Sequence, residues 1–243
     1  MEFLEKNGKI IAGAFFALIA IGLIATFISN SSKKNEIETQ EKFSQIESEY
    51  TKYKEEMTKS TTPQAPTNPL AKTDKKADGK NSVDAAANAQ KLRDPLSTNL
   101  SRFISENKKS VATEMAALYL SEVLLDENKN TEALEVLKKV DSQSGDLTSV
   151  LVQKKLGALL ADNNQCDQAL KVWDKLLKLS TAKFAHSEVK IMQSLCYQKM
   201  NDLKKAEEIL ISVKNDKTEG SAENSQHAER ILRLIQFKKA SGT

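Results

Sequence analysis

The sequence predicts an all-α chain: a single membrane-spanning helix near the amino terminus, then a solenoid of stacked, tetratricopeptide-like (TPR-like) helical hairpins. Three observations predict it. Residues 10–28, IIAGAFFALIAIGLIATFI, form an uncharged apolar run of nineteen residues. The remainder is dominated by Ala, Leu, Lys, Glu and Gln, all helix formers, with 5% aromatic residues and only 8 Gly and 4 Pro in 243 residues. Finally, TEALEVLKKV, DQALKVWDKLL and KKAEEILISV line up on Ala133, Ala169 and Ala206, at spacings of 36 and 37 residues.

Residues 1–9 are a short tail, and 10–30 are assigned to the membrane. At about 1.5 Å per helical residue the apolar run reaches roughly 28 Å, close to the hydrocarbon thickness of a bilayer. Gly13 and Gly22 do not count against it, because an unpaired amide in lipid costs several kcal/mol and keeps the helix intact. A cleaved secretory signal is the rival reading. Its apolar core is normally shorter, Ser29-Asn30-Ser31 is a poor cleavage site, and no cysteine follows the run to accept lipid. Lys6 and Lys9 on one side balance Lys33 and Lys34 on the other, so charge does not set the direction. A very short tail before a large carboxy-terminal domain favours export of that domain. The expected location is a bacterial inner membrane with the domain in the periplasm.

Residues 31–57 are amphipathic, with Phe43, Ile46, Tyr50, Tyr53 and Met57 separated by three, four, three and four positions. This stripe belongs to a juxtamembrane helix that packs on its own domain or a partner, or to an exposed helix or short homodimeric coil. Residues 58–82 hold Pro63, Pro66 and Pro69 among small polar residues and are expected to be a disordered spacer, since little burial offsets their ordering entropy.

The repeat domain is placed at 83–243. A short alanine-rich helix should end before Pro95, because proline disfavours helical geometry in the residue before it, and a new helix should start there. Leu96, Leu100, Phe103 and Ile104 give that helix one apolar face.

In the three aligned segments each alanine is followed four residues later by Leu137, Trp173 or Leu210, and three further on by Val140, Leu176 or Val213. Turns precede them at Asn128-Lys129-Asn130, Asn163-Asn164-Gln165 and Asn201-Asp202, where asparagine tolerates the left-handed conformation and can cap the next helix. The preceding helices carry Leu120 and Leu124, Leu156 and Leu160, and Met192 and Tyr197, with small Ser121, Gly157 and Ser194 where helices meet closely. These are TPR-like hairpins, near 110–141, 146–180 and 183–214. Leu156-Gly157-x-x-Leu160 and Ala169-x-x-x-Trp173 fit the tetratricopeptide pattern best, while its terminal proline is missing from all three. A last helix, about 222–239, turns Ala228, Ile231, Leu232 and Ile235 to one side and reads as a polar-backed cap.

The order of parts resembles the YfgM family, the membrane-anchored tetratricopeptide-like ancillary subunit of the bacterial Sec translocon. FLEKNGKIIAG ahead of one span and FISENKKSVATEMAALYLSEVLLDENKNTEALEVLKKV carry the likeness most specifically, followed by the hairpins up to Val213. The proline-rich insert and the terminal helix have no counterpart. The resemblance implies an exported domain whose partners are translocon subunits, a periplasmic chaperone or isomerase, and exported client proteins.

No catalytic, cofactor-binding or metal-binding residues are assigned. Only His186 and His227 occur, far apart, and there is no glycine-rich phosphate loop or nucleophile elbow. The carboxylates sit among lysines at helical spacing, which favours surface pairing over acid–base chemistry. A net charge of +3 with both signs interspersed argues against nucleic acid. Cys166 and Cys196 flank the turn near Ser180–Lys183 at similar distances, so antiparallel helices bring them level, as a disulfide or as two buried thiols. Stacked hairpins build a groove, whose candidate residues are Glu122, Ala158 and Leu195. A clamp for a tail carboxylate would want asparagine there, so mixed apolar and helical ligands suit this chain better. The expectation is a protein-binding scaffold, with an envelope-assembly scaffold dimerising through residues 31–57 as the second reading.

Overall fold

The computed structural model describes residues 37–60, 79–107, 110–140, 144–216 and 222–241, and these are helical with short connections, without strands. Helix α1 covers 37–60, followed by α2 (Gly79–Glu106), α3 (Val111–Asp126), α4 (Asn130–Lys139), α5 (Leu147–Asp162) and α6 (Cys166–Leu176). A 3-10 turn at Ser180–Ala182 leads into α7 (Lys183–Lys199), α8 (Leu203–Lys214) and α9 (Ala222–Ser241). The predicted span at 10–30 lies outside the described residues, among which no helix is long and apolar enough to cross a membrane.

The chain divides into two compact units, Met1–Glu47 and Ser48–Thr243. In the first, Phe43 is buried and Lys42 pairs with Glu38 at 2.9 Å. In the second, α3–α4, α5–α6 and α7–α8 are hairpins, and the first helix of each also touches the first helix of the next, ending in α7 against α9.

The three turns share one construction. Asn128, Asn164 and Asn201 have φ of 61°, 58° and 63°, the left-handed region where asparagine is the most tolerant residue after glycine. In each, the following amide reaches back to the helix, Lys129 to the Leu124 carbonyl, Gln165 to Leu160 and Asp202 to Tyr197, all at 2.8 Å. The asparagine amides bond to Leu125, Ala161 and Gln198, which completes a Schellman closure and satisfies carbonyls that the helix end would leave open. The second expected role of these asparagines is corrected. Lys129 and Gln165 precede α4 and α6 without a side-chain cap, and of the three second helices α8 alone is capped, by Asp202 on the Lys205 amide at 3.0 Å.

Ala133, Ala169 and Ala206 are fully buried, as are Leu137 and Leu210, and Trp173 is 1% exposed. Ser121, Gly157 and Ser194 occupy one repeat position on the facing helices and are buried. The two serine hydroxyls bond to carbonyls one turn back, Leu118 at 2.7 Å and Ile191 at 2.6 Å, so each serves as a small residue with its polarity satisfied. Leu160 is buried, but Leu156, Met192 and Tyr197 are only half-buried at the edge of the core face. Tyr197 packs against the terminal cluster built from Leu210, Val213, Ile231, Leu232 and Ile235, beneath Lys205, whose ammonium lies 4.6 Å from its ring centre.

Two expectations are corrected at the start of the unit. Helix α2 does not break at Pro95 but runs on for 28 residues with the proline inside. Ala85 and Ala89 before it and Leu96, Leu100 and Phe103 after it are all buried. An interior proline costs about 3 kcal/mol, while burying a large apolar side chain contributes about 1.5–3 kcal/mol, so three such residues beyond Pro95 outweigh the local penalty. Pro95 and Lys91, whose carbonyl loses its partner, are both exposed and leave that oxygen to water. The two ends of the expected 58–82 spacer are helical instead, since α1 continues to residue 60 and α2 begins at Gly79; the rest of it, 61–78, lies outside the described residues.

Candidate functional site

The face to consider is the row of first helices, and it begins with α1. Tyr50 stacks on Tyr119 of α3 with ring centres 3.9 Å apart and planes 5° from parallel. The Tyr50 hydroxyl donates to Glu122, and that of Tyr53 to Asp126 at 3.0 Å. Lys54 adds weaker pairs to both carboxylates at 3.7 and 3.9 Å. Burial first, and then the hydrogen bond to its carboxylate, push each of these phenols well above the ordinary tyrosine range.

Against α2 the direction is opposite. Asn99 donates to Glu49 at 2.9 Å and Asn88 to Glu56 at 3.4 Å, so positions rise along α1 as they fall along α2. Along α3 both rise together. From Ser48 onward α1 therefore occupies the place of a first helix, with α2 as its antiparallel mate, and the unit contains one hairpin before the three marked by asparagine. Arg93 to Glu127 at 2.7 Å joins α2 to α3 near the same level.

Glu122, Ala158 and Leu195 share one repeat position but present three different surfaces. Glu122 is engaged by Tyr50 and Lys54. Ala158 is half-buried, and Leu195 is 43% exposed with Met192 half-buried one turn earlier. Lys154 on α5 bridges to Glu188 on α7 at 2.9 Å beside them. The row thus passes from a closed polar end at α3 to an open stretch on α5 and α7 that combines apolar side chains with one ion pair. Among the described residues, no group of three or more His, Cys, Asp or Glu side chains is arranged to hold a metal ion.

No family model, curated protein or solved structure matches this chain significantly.

Behind the open stretch the core is closely packed. Trp173 fills the space between α5 and α6, and its indole nitrogen faces the Lys154 carbonyl at 3.4 Å. A Cβ on Gly157 would lie 2.7 Å from Trp173 Cδ1 and closer still to Nε1 and Cε2, so only glycine fits beneath that ring. Cys166 at the start of α6 and Cys196 near the end of α7 are joined as a disulfide with Cα atoms 5.4 Å apart. It ties the second hairpin to the third directly behind Leu195. Gln193 donates to Asp174 at 2.7 Å across the same α6–α7 contact.

Sequence reasoning missed Tyr119 and Asp126 as partners of α1. Their only trace is complementary spacing, Tyr50 and Tyr53 three apart against Glu122 and Asp126 four apart, both one helical turn.

Proposed function

We propose that this chain is a membrane-anchored, TPR-like scaffold whose open α5–α7 face takes apolar or helical segments of other proteins. The observation that carries the reading is Leu195, left exposed at the repeat position where Glu122 is bonded by α1. Large apolar side chains left open on a stack of rigid helices suit recognition of a partner better than catalysis. The ion pair of Lys154 and Glu188 beside them supplies polar anchoring at the rim.

The uncharged run at residues 10–28 supports anchoring by one helix, and the disulfide fits an oxidising compartment such as the periplasm. Only about twenty residues separate that run from Tyr50, the point at which α1 joins the stack. Partners passing through the same membrane would meet the face at high local concentration. Translocon subunits, a periplasmic chaperone or isomerase, and exported clients are the partners we propose, in keeping with the resemblance to the YfgM family.

Dimerisation through residues 31–57 is the weaker reading, because Tyr50 and Tyr53 are already spent on α3 of their own chain. A photo-crosslinking residue placed at Leu195 of the full chain in intact bacterial membranes tests the proposal. It is expected to give adducts with membrane or exported proteins that are missing when the same residue replaces Ile211 on α8, which is slightly more exposed at 49%. Identical adduct patterns at the two positions, or cytosolic proteins alone, would overturn it.

A further inference from the structure

Helix α9 closes the stack, and its outer side sets two large exposed apolar side chains among the charges that back a cap. Ala228, Ile231, Leu232 and Ile235 turn inward. At 3.6 residues per turn Arg230, Leu234 and Phe237 fall together on the opposite side, with Arg233 and Lys238 at its edges. Leu234 is 68% exposed and Phe237 73%, the highest values for large apolar side chains among the described residues. Arg230 and Lys238 have no ion-pair partner among the described residues. Arg233 pairs with Glu229 at 2.9 Å, yet its side chain is 73% exposed.

We propose that this side of α9 is a contact for an anionic membrane surface, with Leu234 and Phe237 entering the acyl boundary and Arg230, Arg233 and Lys238 meeting lipid phosphates. The chemistry favours lipid over the other occupants. A second copy would bring two sets of these cations against each other, and like charges facing across a contact are repulsive. A partner helix would be held by only two apolar side chains one turn apart, less than the run of anchors that a helix seam uses. Aromatic and aliphatic side chains flanked by Lys and Arg are what an interfacial helix presents to headgroups. The contact is weak by itself, and it rests on the anchor at residues 10–28 for strength, since a chain already held to the bilayer meets that surface repeatedly.

The test uses the full chain carrying Phe237→Trp with vesicles whose acyl chains are brominated, made either of phosphatidylcholine or of phosphatidylcholine with phosphatidylglycerol. Trp173, 1% exposed, supplies a background that the unsubstituted chain measures separately. Flotation with the neutral vesicles reports the anchor, and quenching of the indole at position 237 reports α9. The expected result is flotation with both vesicles and quenching only with the anionic ones, reversed by about 0.5 M salt through screening. Arg230→Gln with Lys238→Gln, both at exposed sites, should weaken the quenching at least about tenfold while flotation persists. Quenching in anionic vesicles without flotation in neutral ones would support the α9 contact and overturn the anchor. Equal quenching in both vesicles, or none in floating anionic ones, overturns the contact, as does an emission shift that follows protein concentration without lipid. Neither flotation nor quenching overturns both.

Discussion

Gly157→Ser is expected to destabilise the repeat unit by about 1–3 kcal/mol or more, the range for overpacking a filled core. Serine would improve intrinsic helix propensity by a few tenths of a kcal/mol, so propensity alone predicts the opposite sign. Packing decides it, because the new Cβ would meet the Trp173 ring at 2.7 Å or less, and the ring is buried and cannot swing clear. The neighbouring hairpins show the alternative solution. By register, Ser121 accompanies Leu137 and Ser194 accompanies Leu210, so a smaller partner admits a side chain with a Cβ. Trp173→Leu alone should cost about 2–4 kcal/mol through the cavity it leaves. Combined with Gly157→Ser it should cost less than the sum of the two, a coupling of at least about 1 kcal/mol measurable by denaturant unfolding of all four proteins. Strict additivity would mean that the two residues do not share one space.

Reducing the disulfide between Cys166 and Cys196 is the second large effect. The two cysteines are 30 residues apart in sequence, and opening a loop of that length releases denatured-chain entropy worth about 3–4 kcal/mol. Both sites are buried, and a buried thiol is well tolerated, so the folded state should change little and the loss should appear mainly in the unfolded chain. Unfolding followed with and without reductant should therefore move the midpoint to lower denaturant. Thiol alkylation of the native, non-reduced protein should add no label, even after unfolding. Two labels in the unreduced, unfolded protein, with a midpoint insensitive to reductant, would contradict the bridge.

Much of the helical plan was legible in the sequence because each hairpin repeats one local solution. A left-handed asparagine closes the first helix, a small residue lets the pair approach, and an alanine five residues past the asparagine starts the buried face. Three copies at nearly constant spacing make that pattern visible without any tertiary information. Pro95 misled for the converse reason. A strong local rule was set against buried Leu96, Leu100 and Phe103, and tertiary burial was larger.

The place of α1 was not legible, since Tyr50 and Tyr53 meet residues 72 and 73 positions away. Residues 61–78 also separate α1 from α2, where each of the other hairpins has three residues between its helices. The candidate face was half legible. Repeat register found Glu122, Ala158 and Leu195 together, but not that α1 engages the first of them and leaves the third open. The outer side of α9 was missed because Leu234 and Phe237 sit among core positions in sequence, and only helical geometry separates them.

Hydrogen exchange of the full chain in bilayers tests most directly whether the stack begins at α1 rather than at α3. The account predicts that amides of residues 50–57 exchange as slowly as those of 118–124 on α3, because one stacked and hydrogen-bonded face holds both. Rapid exchange across 50–57 while α3 stays protected would contradict it.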